Sequence, residues 1–135
     1  MPIPDARTTH IKGLTAELEF SLHLIKKGWN IFLPINQNSR VDMIIEKGGK
    51  LKKLQIKYCT PYKGCLRIEL EHPLRKTGSY SIKEVDDIGV YDPVNDKFYL
   101  VPLAKILPRK EIWIRVSKTV KNQQININWA KNYLV

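Results

Sequence analysis

The stretch SRVDMIIEKGGKLKKLQIKY, residues 39–58, carries two runs of alternating residues on either side of Gly48 and Gly49. Alternation of apolar with other residues is typical of a β-strand that buries one face, and a Gly-Gly dipeptide favours a two-residue hairpin turn. This turn places Asp42 opposite Gln55 and gathers the apolar side chains on one face. The predicted apolar face consists of Val41, Met43, Ile45, Leu54, Ile56 and Tyr58.

The other face of the predicted hairpin carries Asp42, Gln55 and Lys57. Directly opposed Cβ atoms in an antiparallel pair are about 4.5–5.5 Å apart, and Lys57 lies two residues beyond Gln55 on the same face. Three polar groups therefore converge. A solvated outer face, as in many antiparallel hairpins, is the alternative interpretation.

A helix is predicted from Thr8 to about Lys27, with Gly28 ending it. On a wheel of about 100° per residue its apolar residues form two groups within one arc, with Glu17 between them. The first group is Leu14, Leu18, Leu22 and Ile25, and the second is Phe20 and Leu24.

The position of Glu17 on this wheel predicts a carboxylate that points into the protein. Glu19 falls on the polar side of the helix, where a charged side chain is ordinary. A carboxylate directed inward needs a partner cation to offset its desolvation. The alternatives are an ion pair with Lys57 or Arg40, or a divalent metal shared with Asp42.

The rest of the chain predicts further strands and a second, short helix. Strands are expected at residues 29–34, 65–70 and 111–116, a second hairpin at 88–103, and a closing helix at 128–135. A helix, a mixed β-sheet and a closing helix place the protein in the α/β class. The length of 135 residues predicts a single domain, residues 1–135.

The charge of the chain predicts a polyanionic partner. Lys and Arg outnumber Asp and Glu by 23 to 13, for a formal net charge of +10 spread along the sequence. Nucleic acid is the first candidate, and a membrane surface is disfavoured because the only strong helical pattern has a core to cover. Without an apolar run of signal-peptide type, the protein is expected in the cytoplasm. The two cysteines lack metal-ligand spacing.

Phosphodiester hydrolysis is the chemistry that needs two carboxylates, an amide oxygen and a lysine in one place. Hard oxygen ligands from Glu17, Asp42 and Gln55 suit Mg²⁺, which binds a phosphate oxygen and stabilises the charge that builds during in-line attack. Lys57 can orient or help to deprotonate the attacking water and oppose the developing negative charge.

These residues resemble the PD-(D/E)XK nuclease superfamily, whose core has a helix with Glu, a strand with Asp and a strand with (D/E)-X-K. The corresponding segments are GLTAELEF with Glu17, VDMIIE with Asp42, and LQIKY with Gln55 and Lys57. Two positions depart from the pattern: Val41 stands where the superfamily motif has Pro, and Gln55 stands where it has an acid. The run GLTAELEFSLHLIKKGWNIFLP and the later EVDDIGVYDPVNDKFYLVPL are similar to the branch of group I intron homing endonucleases.

The resemblance implies a restriction-endonuclease-like core and a Mg²⁺-dependent endonuclease acting on double-stranded DNA, with Mn²⁺ as a substitute metal and a homing endonuclease as the closest type. It implies catalytic roles for Glu17, Asp42, Gln55 and Lys57, and a metal held by Asp42, Gln55, Ile56 and Glu17. Holliday-junction resolvases share the core and are the alternative enzyme class. A DNA-binding module without activity, built on a decayed nuclease fold, is the alternative outside enzymes.

Loops around the predicted site supply the candidate DNA contacts, because basic and polar side chains hold the phosphate backbone. They are Asn36, Gln37, Asn38, Arg40, Tyr62, Lys63, Arg67, Arg75 and Lys76, with a weaker second patch at Lys118, Lys121, Gln123 and Gln124.

Self-association is also expected, because one set of catalytic residues cuts one strand of a duplex. A two-fold arrangement places two sites across antiparallel strands, so the predicted assembly is a homodimer or a dimer of dimers. The predicted contact is Trp113, Ile114 and residues 98–101, and packing of these residues in the monomer core is the alternative.

Overall fold

The computed structural model describes residues 8–36, 38–70, 84–106, 109–117 and 127–135. Helix α1 spans Thr8–Lys26, and a short 3-10 helix at Ala130–Tyr133 takes the place of the predicted closing helix. The strands are β1 Asn30–Phe32, β2 Met43–Lys47, β3 Lys50–Tyr58, β4 Cys65–Glu69, β5 Asp87–Asp92, β6 Lys97–Pro102 and β7 Glu111–Arg115.

Five strands form a mixed sheet in the order β1-β2-β3-β5-β6. β3 and β5 pair in parallel, whereas the other neighbours in this sheet are antiparallel. The predicted α/β class, mixed sheet and N-terminal helix are therefore confirmed. Strand β4 leaves the main sheet and pairs with β7 in a separate two-stranded sheet.

The hairpin of β2 and β3 has the predicted register. Met43 pairs with Leu54, and Lys47 pairs with Lys50 across the turn. Gly48 and Gly49 both have positive φ, 60° and 83°, which is the conformation that a two-residue turn of this type requires. The turn chemistry and the apolar alternation thus select the same pairing.

Two apolar clusters lie on opposite faces of the main sheet. The cluster on the α1 side contains Ala16, Phe20 and Leu24 from the helix with Met43, Ile45, Leu54 and Ile56 from the hairpin. The cluster on the other side joins the β4–β7 sheet to Ile88, Val90 and Val101. Because β5 lies between the two clusters, all six of its residues are buried.

The wheel assigned too wide an arc of α1 to the core. Phe20 and Leu24 are fully buried, as predicted, but Leu14, Leu18, Leu22 and Ile25 are between 48 and 60 % exposed. Only one of the two apolar groups packs on the sheet, since the groups lie on nearly opposite sides of the helix. The expectation that both cover the core is wrong.

Gly89 allows α1 to approach the sheet closely. A Cβ atom at this position would lie 2.6 Å from Ile56 Cδ1 and 3.0 Å from Phe20 Cζ, so the absence of a side chain leaves room for the Phe20 ring. This contact fixes the depth of the helix and, with it, the position of Glu17 one turn earlier in the chain.

We expect Gly89→Ala to lower the free energy of unfolding by about 1–3 kcal/mol, because the added methyl overpacks the contact with Phe20 and Ile56. Gly13→Ala is the matched control, since a Cβ atom there meets nothing within 4 Å. In the helix interior that change should stabilise the protein by about 0.5–1 kcal/mol. Urea denaturation measures both. A tolerated Gly89→Ala would show that the close packing does not set the helix position.

The C-terminus packs beside α1. Nε2 of His23 lies 2.7 Å from the main-chain oxygen of Val135, and the His23 ring stacks on Phe98 with centroids 4.0 Å apart. The main-chain N–H of Val135 donates to Phe98 at 3.1 Å. These contacts attach the end of the chain to both the helix and β6. None of the helices in the described ranges has the length and apolar character that crossing a membrane requires.

Candidate active site

Asp42 lies immediately before β2, with its carboxylate held against β3. Its main-chain N–H donates to the oxygen of Leu54 at 2.8 Å, and its Oδ2 accepts the N–H of Ile56 at 2.8 Å. These two groups of β3 flank Gln55. Asp42 is therefore beside Gln55, as the hairpin register predicts. The Ile56 side chain packs in the core, so its main-chain groups alone reach this region.

Gln55 contributes an amide oxygen without a partner. Its Oε1 is buried and accepts no hydrogen bond, and it is the one side-chain atom of this kind in the part of the chain that the structure describes. Leaving such an acceptor unpaired costs about 1–3 kcal/mol. A buried orphan acceptor in a native protein calls for a ligand, an ion or a water molecule at that point.

Glu17 reaches the same region from α1. Burial, the negative charge of Asp42 and a hydrogen bond with the Asp42 side chain together raise the pKa of Glu17 to about 7. Two carboxyl groups this close cannot both ionise without repulsion, and a cation between them removes that penalty. The inward direction predicted for Glu17 is thus met in part: the side chain is partly buried and faces Asp42.

The donor set formed by Glu17, Asp42 and Gln55 fits a divalent cation. Two carboxylates and one amide oxygen are hard ligands of the kind that Mg²⁺ and Ca²⁺ prefer, and the orphan Gln55 Oε1 would gain a partner. Within the described ranges no three His, Cys, Asp or Glu residues form a metal-binding group. In a set made of Glu17, Asp42 and Gln55, the amide of Gln55 would be the third ligand.

Lys57 lies two residues beyond Gln55 on β3 and therefore points to the same side of the strand. It lines a cleft of about 400 Å³ between the start of α1, the end of β3 and β4. The other lining residues are Thr9, Lys12, Gly13, Tyr58, Cys59, Arg67, Ile68 and Glu69. Glu17, Asp42 and Gln55 are not among the lining residues, so Lys57 is the residue that connects the cleft with them. A cleft with cationic side chains at this point can hold a phosphate group.

Comparison with known proteins identifies the fold and the family. The sequence profile described as PD-(D/E)XK endonuclease matches residues 7–135. The chain belongs to the PD-(D/E)XK endonuclease family. A bacterial homing endonuclease, I-Ssp6803I, has a similar solved structure, with a TM-score of 0.74 and 20 % identity over 93 % of this chain and 88 % of that one. At this identity the likeness shows the fold. No curated protein sequence matches the chain.

The raised pKa of Glu17 makes the stability of this PD-(D/E)XK endonuclease depend on pH when no metal is present. The folded-state pKa of about 7 lies above the unfolded value of 4.5, so the folded protein binds the proton more tightly. Proton binding by Glu17 therefore contributes to the free energy of unfolding in full below pH 4.5. This contribution is lost as the pH rises through 7.

We expect the free energy of unfolding to fall by about 1–2 kcal/mol between pH 5 and pH 8, a value reduced because solvent screens this partly exposed group. Glu17→Gln should remove that decrease and Glu19→Gln should keep it. Urea titrations in a chelating buffer measure the effect. The same decrease in all three proteins would assign it to groups other than Glu17.

Several of the predicted DNA contacts of the endonuclease lie at the cleft or near it. Arg67 lines the cleft and is paired with Glu69 at 2.8 Å and Glu111 at 2.6 Å. Lys63 lies over the ring of the exposed Tyr62, with Nζ 5.3 Å from its centroid. Both residues are in the turn before β4, so they extend the surface beyond the cleft.

The predicted contacts before the hairpin differ in exposure. Asn36 and Asn38 are exposed, whereas the side chain of Arg40 is only 17 % exposed and pairs with Glu84 at 3.1 Å. This ion pair connects the loop before β2 to the segment before β5. The remaining predicted contacts, Gln37, Arg75, Lys76, Lys118, Lys121, Gln123 and Gln124, lie outside the described residues.

The surface predicted for self-association is mostly buried. Phe98, Tyr99, Val101 and Ile114 belong to the core, and only Trp113 is exposed among the large residues of that set. The alternating pattern of β6 and β7 could not distinguish a strand packed on a neighbour from one that presents its apolar face to a partner.

Sequence reasoning missed Lys12 and Thr9, which line the cleft beside Lys57. Nζ of Lys12 lies 5.8 Å from the centroid of the Tyr58 ring, which places its charge at the cleft wall. Lys12 falls on the polar side of the helical wheel, so spacing alone gives no reason to separate it from a solvated lysine.

Proposed function

We propose that this protein is a Mg²⁺-dependent endonuclease that hydrolyses phosphodiester bonds of double-stranded DNA. The observation that carries the proposal is the buried and unpaired Oε1 of Gln55, a residue opposite Asp42 in the hairpin and two positions before Lys57. Membership of the PD-(D/E)XK endonuclease family supports the reaction class. Mn²⁺, with the same charge and a similar preference for oxygen ligands, is the expected substitute.

Asp42, Gln55 and Glu17 are the residues that would hold the metal, with the main-chain oxygen of Ile56 as a further candidate. When bound, Mg²⁺ supplies a Lewis acid for a phosphate oxygen. Asp42 is oriented for this role by the N–H of Ile56, which fixes one of its oxygens at 2.8 Å. Glu17, whose pKa is raised by burial and by Asp42, would have to lose its proton to serve as a ligand.

Lys57 acts on the reacting phosphate and water from the cleft. Its ammonium group opposes the negative charge that grows on the phosphate oxygens during in-line attack. It also holds the attacking water by a hydrogen bond and thereby orients it toward phosphorus. Lys12 lines the same cleft and adds positive charge for the phosphates that flank the scissile bond, whereas Arg67 is paired with Glu69 and Glu111.

We propose a long duplex target of the kind that a homing endonuclease cuts. The structural likeness to a bacterial homing endonuclease over 93 % of this chain is what favours a duplex substrate over a branched one. The net charge of +10 supplies the attraction to the DNA backbone that binding requires.

Nicking of supercoiled plasmid tests the proposal. We expect conversion to nicked and linear forms with Mg²⁺ or Mn²⁺, none with Ca²⁺ alone, and none after chelation. Four-way junctions offered in competition distinguish a duplex endonuclease from a junction resolvase. Retention of DNA by a protein that cleaves neither substrate with any divalent metal would leave a DNA-binding module and overturn the proposal.

A further inference from the structure

Helix α1 carries a second apolar face that points away from the sheet. Five large aliphatic side chains on this face are 40–60 % exposed: Ile11, Leu14, Leu18, Leu22 and Ile25. They lie within about 80° on the helical wheel, nearly opposite the group that contains Ala16, Phe20 and Leu24. We call these five residues the outer stripe. A contiguous exposed apolar surface of this kind marks an interaction site.

The order of residues in the outer stripe is the same in both directions along the helix. Read from either end it is Ile, Leu, Leu, Leu, Ile, with spacings of three, four, four and three residues. In an antiparallel pair of α1 helices centred on Leu18, Ile11 faces Ile25 and Leu14 faces Leu22. A two-fold interface needs a surface complementary to itself, and this stripe has that property.

We propose that the outer stripe is the contact between two copies of this chain, in an antiparallel α1–α1 pair whose two-fold axis passes beside Leu18. The stripe is about 21 Å long at 1.5 Å per residue, which spans four turns of helix. Ser21 on its edge is small and permits close approach of the two helices. No charged side chain interrupts the stripe, so the pairing desolvates apolar surface with little polar cost.

The same pairing arranges the two candidate active sites, a consequence that rests on the proposed nuclease function. Glu17 is about 100° around the helix from Leu18 and therefore lies on one flank of the stripe. The two-fold axis of an antiparallel helix pair is perpendicular to the plane that contains both helices. Rotation about it exchanges the two copies and keeps the Glu17 flank of each on the same side of that plane. Both sites then face one side, as cutting both strands of one duplex requires.

The mass of the protein in solution, measured by light scattering without DNA or metal, tests the interface. We expect a dimer for the wild-type chain at micromolar concentration, and at least about a hundredfold weaker association for Leu18→Glu, which buries two charges at the two-fold axis. Leu51→Glu is the matched control, because Leu51 is 62 % exposed and Leu18 60 %. Circular dichroism and thermal melting establish that both variants are folded.

A second variant tests the geometry directly. Under mild oxidation, Leu18→Cys should form a disulfide between two chains, whereas Leu51→Cys and the wild-type protein should not. A wild-type monomer, a dimer unaffected by Leu18→Glu, or a dimer broken by Leu51→Glu instead would overturn the proposal.

Cleavage products separate this result from the nuclease assignment. If both proposals hold, Leu18→Glu nicks plasmid but yields at least about tenfold less linear product than wild type. A dimer that lacks nuclease activity would contradict only the proposed function, and an active monomer would contradict only the interface.

Discussion

Lys57→Ala is expected to reduce plasmid cleavage by about 10²–10⁴-fold at saturating Mg²⁺, because it removes both the charge that opposes the developing phosphate charge and the donor that orients the water. Affinity for DNA should change little, since Lys12 remains in the cleft. Single-turnover cleavage rates, measured together with binding in Ca²⁺, separate the chemical step from association.

Lys50→Ala is the control for this experiment. Lys50 is an exposed lysine on the same strand, at the hairpin end far from the site. It carries the same charge, so a general electrostatic effect on DNA binding should be similar in both variants. Equal loss of cleavage in Lys50→Ala and Lys57→Ala would indicate that net charge, rather than a group at the reacting phosphate, accounts for the effect.

Glu17→Gln should reduce cleavage by about a hundredfold and shift the Mg²⁺ dependence to higher concentration. With Gln55 already neutral, this change leaves Asp42 as the single negative charge among the three side-chain ligands, so the cation is held more weakly. The shape of the side chain is retained and the repulsion of Asp42 is removed, so the metal-free protein should be at least as stable as wild type.

Glu19→Gln should leave the cleavage rate and the Mg²⁺ dependence unchanged. Glu19 is also a half-buried carboxylate of α1, but its negative charge acts on Tyr91, where it helps burial to raise the pKa of the hydroxyl. Rates measured over a series of Mg²⁺ concentrations distinguish lost affinity from a lost chemical role. If the two variants have the same activity, Glu17 is a structural carboxylate and the metal is held without it.

Local patterns in the sequence determined the two hairpins and the choice of candidate site residues. Turn chemistry at Gly48 and Gly49 and strict alternation act over a few residues, so the pairing of β2 with β3 follows without knowledge of the rest of the chain. The same register brings Asp42 to Gln55. Spacing of two along a strand then puts Lys57 on the same side.

The partner of β4 depended on contacts distant in the chain. Cys65 pairs with Arg115 and Glu69 with Glu111, so the two strands are separated by most of the second half of the sequence. Alternation of apolar residues indicates that a strand has one buried face. It does not indicate which strand pairs with it or which element packs on that face. For the same reason the apolar residues of β6 and β7 were predicted to form a dimer contact, whereas most of them pack in the core of the monomer.

What the sequence by itself determined is the set of residues in the candidate site: a hairpin that presents Asp42 and Gln55, and a helix that carries Glu17. Only the tertiary structure decided which apolar side of α1 is buried, because the helical wheel offers two and the choice is made by the Phe20 ring entering the space above Gly89. That contact turns Glu17 toward Asp42, and burial together with the Asp42 charge raises the pKa of Glu17. It also leaves the outer stripe in solvent, because a helix lying on a sheet can bury only one face.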